Sequence, residues 1–389
     1  MPLFFRVLVL VALLTGAASV AALVRTSIRS SERADRIAQG ETPLFVSNPS
    51  GAALRLLQSG ATLDEARAVS LQEETWLAEG RYFLEARRKD ATWTFPVPLL
   101  GSGGGPDAEG SFAIVVRDPG RPPVADGRFV FIPGGHFLIG DRKNLMETHF
   151  VWVTAFYLDA FEVTNGEFRR FLADPQGYDE RRHWSDEGWA WKAGNACAAT
   201  ARLTPADADY GRFGQDDQPV VLLTWHEASA FGRWMTSLAG HGRWLYRMPT
   251  EAEWEKAARG PDSFDYGLGD ALSEPEQGLY NWKKNPGAAE TLVGWTETRR
   301  RFRPNRYGVY HASGNAAEWT QSLFRPYSRE SPYSDDGRNL DTGSGMRTTR
   351  GGSWYSANTV RLHLGYREEF QPELRSNDLG FRIAAFPLP

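Results

Sequence analysis

In this chain of 389 residues, the nearest approach to a reactive or binding constellation is RTTRGGSWYSANTVRLHLGYR, from Arg347 to Arg367. Its front half reads as a strand and a tight glycine turn. Behind the turn follow Tyr355, Ser356, Asn358, Arg361, His363, Tyr366 and Arg367. Long polar and aromatic side chains on a rigid turn make a recognition face, because Tyr and Arg supply much of the binding energy at interfaces. The competing use is structural: two of these arginines could serve as core ion-pair partners for Glu318 or Asp378. No nucleophile triad follows the turn. The seven histidines show no HExxH or other tight metal-ligand spacing, which leaves open only a facial triad gathered from distant segments, the ligand set of a non-haem iron oxygenase. The sole cysteine, Cys197, cannot form an internal disulfide, a CxxC redox pair or a multi-thiolate metal site, and we expect it to be buried.

The frame that must position these residues has ordinary globular composition, 41% hydrophobic and 24% charged, so a disordered chain or multi-span membrane protein is excluded. The net charge is −4 and no Lys/Arg-rich block stands out, which excludes nucleic acid as the main partner. Fourteen Trp, 13 Tyr and 39 Gly suit an irregular fold whose core is filled by large rings between tight turns. The same rings would also suit the walls of a ligand site. In WSDEGWAWK, Trp184, Trp189 and Trp191 could stack on a sugar or a proline, but we expect them to pack an otherwise loose insertion.

The N-terminus, MPLFFRVLVLVALLTGAASVAALVR, has one early charge, an apolar run and small residues ending at Ala21 or Ala22, the grammar of a signal peptide. The apolar stretch continues through Val24, and roughly 20 apolar residues also make a span. Export is therefore expected, to the periplasm or as a membrane-anchored protein. Arg25, Arg29, Arg33 and Arg36 behind the run oppose the usual charge asymmetry of an anchor. A core segment of a cytosolic protein is the remaining alternative.

After this come short alternating runs, LFVSNP, GRYFLEARR, ATWTFPVPL and SFAIVVRD, separated by turn dipeptides, which read as a small antiparallel β-sandwich. GSGGG at 101–105 reads as a flexible loop, not a phosphate cradle. DPGRPPVADG marks a boundary. The expected organisation is thus 1–24 signal peptide or anchor, 25–40 linker, 41–118 β-sandwich, 119–127 linker and 128–389 a larger domain. In that domain FVFIPGGHFLIGD reads as a hairpin. Thr164 with Glu167, Thr224 heading an apolar-periodic helix, and Thr250 with Glu253 and Gly260 mark three helices. From Pro261 to Thr349 turns dominate, and RTTRGGSW and LGFRIAAF close the chain as strands.

FIPGGHFLIGD, DAFEVTNGEFRRF, WSDEGWAWK, QPVVLLTWHEASAFGRW, RMPTEAEWEKAARG, NRYGVYHASGNAAEWT and RGGSW…LGFR, in this order over 128–386, resemble the formylglycine-generating enzyme (sulfatase-modifying factor) family. The resemblance implies an α+β fold low in regular secondary structure, C-type-lectin-like, here preceded by the small β-sandwich. It also implies oxidation of a sulfatase cysteine by O₂ at Cu(I) held by two thiolates. Those two positions are Ser356 and Arg361 here. A protonated hydroxyl and a permanent cation do not replace soft thiolates, so neither copper nor the dithiol reaction is expected.

The resemblance further implies structural calcium, held by oxygen donors. One set would be Asn281, the Trp282 carbonyl and Asn285; the other Gly314, Asn315, Ala316 and Glu318, with His311 standing upstream where relatives carry Asp or Asn. Relatives of the pyoverdine-maturation type resemble this domain without the dithiol. Two functions therefore stand: a binding or scaffold module for a peptide, glycan or envelope protein, or an oxidoreductase acting on a peptide or small molecule by another mechanism.

Overall fold

The computed structural model describes residues 31–72, 74–89, 91–100, 105–107, 111–117, 120, 122–123, 128–140, 148–239, 243–272, 279–283, 291–328 and 330–388. The signal-or-anchor segment, most of the GSGGG loop and Asn285 lie outside these residues. Among the described residues no helix is long and apolar enough to cross a membrane.

The chain divides into two compact units. The described residues of the smaller lie within 31–47, 70–80 and 99–115. Residues 31–38, expected within a linker, form a helix, α1. Its sheet joins β1 (Thr42–Ser47) to β4 (Thr75–Leu77) in antiparallel fashion and to β7 (Phe112–Val115) in parallel. Leu44, Leu77, Phe112 and Ile114 are among its buried side chains, and Arg33 and Arg36 of α1 lie over the Phe45 and Trp76 rings.

The larger unit holds the other N-terminal strands, β2 (Ala53–Ser59), β3 (Ala66–Val69), β5 (Gly80–Arg88) and β6 (Ala91–Leu99), in the order β3-β2-β5-β6. The runs expected as strands between 42 and 115 are strands, but they belong to two sheets in two units, with one parallel pairing. In the same unit β8 (Phe129–Ile132), β11 (Phe156–Asp159), β12 (Trp244–Arg247) and β17 (Ala384–Pro387) form an antiparallel sheet. FVFIPGGHFLIGD is not a hairpin. β8 pairs with β11, whereas β9 (Gly135–Ile139) pairs with β10 (His149–Val153). Gly135, at φ +143°, redirects the chain between the two sheets.

Three helices carry capping boxes, two of them at the Thr–Glu pairs expected from sequence and the third at the expected Thr224 cap. In α2 (Asn165–Ala173), α4 (Trp225–Leu238) and α5 (Glu251–Arg259) the threonine ahead of the helix accepts from the third residue's N–H, and that residue's Glu returns a bond to the cap. Each box satisfies backbone donors that the helix geometry strands. α3 (Asp186–Ala193) is capped by Ser185. The core between α2 and α4 is aromatic: Phe168, Phe171, Phe231, Trp234 and Phe381 meet edge-to-face, tilted or stacked. Trp184 is buried against Tyr178 and stacks near Trp191, while the Lys192 ammonium sits 4.9 Å from the Tyr178 ring and 5.0 Å from Trp189. The tryptophan insertion is packed by its own rings.

The last sheet, ordered β15-β14-β13-β16, contains β13 (Ala317–Leu323), β14 (Arg347–Arg350), β15 (Glu368–Phe370) and β16 (Leu379–Phe381). β14 and β15 pair antiparallel. The chain between them is the loop 351–367.

Candidate functional site

Two ion pairs bracket this loop. Glu251 and Glu255 stand one helical turn apart on α5 and so share a face. Glu251 accepts two parallel bonds from Arg367, at 2.7 and 2.8 Å, and Glu255 is hydrogen-bonded to Arg350. All four side chains are buried. Arg367 also donates to the Arg325 carbonyl and lies 4.3 Å from the Tyr327 ring centroid. Of the recognition residues expected from sequence, Arg367 is thus an internal clamp that does not face solvent.

Inside the loop the first family cysteine position holds a structural hydroxyl. Ser356 is 2% exposed, and its Oγ accepts from the Ser353 N–H at 2.9 Å while its own N–H donates to the Ser353 carbonyl. Gly352 lies against it at φ +63°, where a Cβ would come within 2.5 Å of the Arg361 carbonyl oxygen. Asn358 caps the next turn, Thr359–Leu362, accepting from the Arg361 N–H. At the second position the Arg361 guanidinium reaches Glu368 at 2.9 Å, with its side chain 45% exposed. Tyr366 joins this pair; burial and the Glu368 carboxylate raise its phenol above the ordinary value. His363 is buried, accepts from the Gly365 N–H and meets the Tyr266 ring edge-to-face.

The structure therefore divides the expected recognition set. Tyr355, Asn358, Arg361 and the partly exposed Tyr366 share the outer side of the loop, with the Lys283 ammonium 4.3 Å from the Tyr355 ring. Ser356, His363 and Arg367 form its inner side.

The residues present do not fit the dithiolate donor set of Cu(I). Cu(I) would meet one hydroxyl already in use and one guanidinium. Cys197 is elsewhere, beside Tyr178 and Glu227, and burial with the Glu227 charge pushes its thiol up to about 12. Among the described residues no three His, Cys, Asp or Glu side chains gather as a metal would require. At the implied calcium positions, Glu318 accepts 2.6 Å bonds from Arg382 at both carboxylate oxygens and 2.7 Å from Trp254 Nε1. A divalent ion there would share that carboxylate with a guanidinium. Asn315, at φ +63°, accepts from Asn281 Nδ2 and the Val293 N–H and donates to Glu162. Gly314, at φ +92°, presses on the Asn281 carbonyl, Ala316 is buried, and Trp282 is 2% exposed. Burial, with Glu318 nearby, pushes the Glu162 carboxyl up to about 7, and burial drives the His311 imidazole down to about 3 as it bonds Thr298. This is a polar network in which protein groups already bond the side-chain oxygens of Glu318 and Asn315.

One feature escaped the sequence reading. Arg299, Arg300, Arg301 and Arg303 form a basic run on and just after α6 (Trp295–Arg301), a helix in a stretch expected to be turns. The TETRRRFR pattern was its signal, but seven residues are too few to show a periodic stripe. Arg299 faces a cleft of about 520 Å³ with Arg128, Phe161, Arg170 and Trp295.

Residues 117–386 match the sulfatase-modifying factor enzyme 1-like domain. The chain belongs to this formylglycine-generating-enzyme family. It is 33% identical to hercynine oxygenase of Mycolicibacterium thermoresistibile across 74% of this chain and 62% of that one. It is 31% identical to formylglycine-generating enzyme of Streptomyces coelicolor across 68% of this chain and 90% of the relative. Mouse inactive C-alpha-formylglycine-generating enzyme 2 is 29% identical over 67% of this chain and 86% of its own length. The chain thus spans less than two thirds of the hercynine oxygenases it matches. Among solved structures, Treponema denticola variable protein 1 matches 67% of this chain and 95% of its own, at 22% identity and a TM-score of 0.49.

Proposed function

We propose that this chain is a copper-independent, exported member of the family that acts as a binding or scaffold module. It takes a peptide, glycan or envelope protein on the outer side of the 353–366 loop. One observation carries the reading: where the family chemistry needs two thiolates, Ser356 Oγ is spent on the Ser353 N–H and Arg361 on Glu368. Further support comes from the clamps at either end of the loop. They hold its backbone while leaving Tyr355, which is 55% exposed, and Arg361 outside. Tyr and Arg are among the residue types enriched at binding hot spots. A relative named as inactive shows that the family name does not by itself imply turnover.

The names of the other relatives favour a second reading, an oxidoreductase that uses a different metal or none. Metal analysis of the purified full chain, before and after loading with Cu(I) or Fe(II), separates the two. It is paired with oxygen uptake and mass spectrometry of a sulfatase-derived cysteine peptide. The binding reading expects no stoichiometric copper or iron and an unchanged peptide. Stoichiometric metal with oxygen consumption, or an aldehyde on the peptide, overturns it.

A further inference from the structure

We infer that the cleft between α2 and α6 is a second binding site, for a small anion that carries a planar apolar body, such as an aromatic carboxylate. It lies on different elements from the 353–366 loop and does not rest on that reading. The cleft's volume, about 520 Å³, falls in the range of small-molecule sites.

Its floor is rigid. Phe161 is 6% exposed and stacks on Tyr310 at 4.7 Å and 14° between planes. Arg299 is layered between two rings, its guanidinium 5.3 Å from the Phe161 centroid and 5.2 Å from that of Trp295. Trp295 is 42% exposed, so its indole still offers area to a ligand. An arginine held against ring faces keeps its in-plane N–H groups available for a carboxylate.

The charges are unequal. Three guanidiniums, of Arg128, Arg170 and Arg299, line the cleft against one carboxylate, Glu167. Arg128 is already held by Asp159 and Glu167, and Glu167 is also committed to the Thr164 cap. The helix N-terminus is thereby closed and is not the anion site. Arg170 is only 3.7 Å from Glu167 with a side chain 72% exposed, and Arg299 has no carboxylate partner among the described residues. Those two cations, one on each helix, are the groups left to receive an anion, with Trp295 beside them to receive its ring.

The test uses the full chain with three probes: indole-3-acetate, its neutral amide indole-3-acetamide, and acetate alone, followed by calorimetry and tryptophan fluorescence. Indole-3-acetate should bind saturably, and both the amide and acetate should bind at least about tenfold more weakly, because each lacks one of the two recognised features. Arg299→Gln should weaken indole-3-acetate by about tenfold or more with an unchanged melting temperature, since the side chain is exposed. Tyr355→Ala should leave it unchanged. Equal binding of acid and amide, undiminished binding by Arg299→Gln, or no saturable binding of any probe overturns the assignment.

Discussion

Arg367 and Glu251 meet through two parallel hydrogen bonds in a site where neither side chain reaches water. This pair, with Arg350 and Glu255 one helical turn away, converts an otherwise irregular segment into a fixed platform. Losing Glu251 strands the buried Arg367 charge, and losing Arg367 leaves Glu251 only Arg338, 3.7 Å away. Arg367→Ala should therefore cost about 3–5 kcal/mol in urea denaturation, whereas Arg361→Ala, whose partner Glu368 is nearer the surface, should cost less than about 1 kcal/mol. Equal costs for the two variants would remove the distinction between the loop's inner and outer sides.

Gly352→Ala tests the turn itself. Its φ of +63° and the nearness of the Arg361 carbonyl leave no room for a Cβ, so a loss of about 1–3 kcal/mol is expected from the strained conformation alone. Ser356→Ala should cost about 1–3 kcal/mol by leaving the Ser353 N–H without its acceptor. Ser356→Cys with Arg361→Cys supplies two thiols, and Cu(I) titration of that variant reports whether the loop brings them together. Calorimetric melting of each variant completes the comparison.

Glu318→Gln should destabilise the protein by about 3–5 kcal/mol, because it leaves Arg382 buried without its counter-charge. Chelation of calcium with EGTA should leave the thermal midpoint of the wild-type chain unmoved if Arg382, and not an ion, neutralises Glu318. A fall in the midpoint on chelation, restored by added calcium, would contradict that account.

Lys256 gives a pH signature. It is 1% exposed, donates to the Gly135 carbonyl at 2.8 Å, and burial lowers its ammonium to about 7 from 10.5. Between these two values the unfolded chain binds more protons than the folded one, so this group makes stability rise with pH over that window, and its cost is fullest below pH 7. Lys256→Met should therefore be the more stable protein at pH 7, by at least about 1 kcal/mol, with the gap closing towards pH 10.5. Denaturant midpoints measured at several pH values check it. A constant gap would mean that the amine does not titrate there.

The sequence showed its local devices clearly. Thr164 with Glu167 and Thr250 with Glu253 are read from spacing alone because a capping box spans four residues, and Thr224 as a cap from the apolar periodicity behind it. The ordered motifs of the C-terminal two thirds led to the family for the same reason: each is a short string. What stayed hidden depends on distance along the chain. Glu251 finds Arg367 across 116 residues and Glu318 finds Arg382 across 64, and no periodicity links them. Arg367 and Arg361 are the same type of residue six positions apart, yet one is a clamp and the other faces solvent. Asn315 and Glu318 resemble ligands by type, and only the positions of Asn281, Val293 and Arg382 show that their side-chain oxygens are taken.

The division of labour in the 351–367 loop bears on how the protein could be reshaped. Its path is set by Gly352, Ser356, the Asn358 cap and the two clamped arginines, while Tyr355, Ala357 and Val360 lie exposed among them. Randomising those three positions should yield a library of folded molecules with altered surfaces, a ready chassis for selecting new specificities.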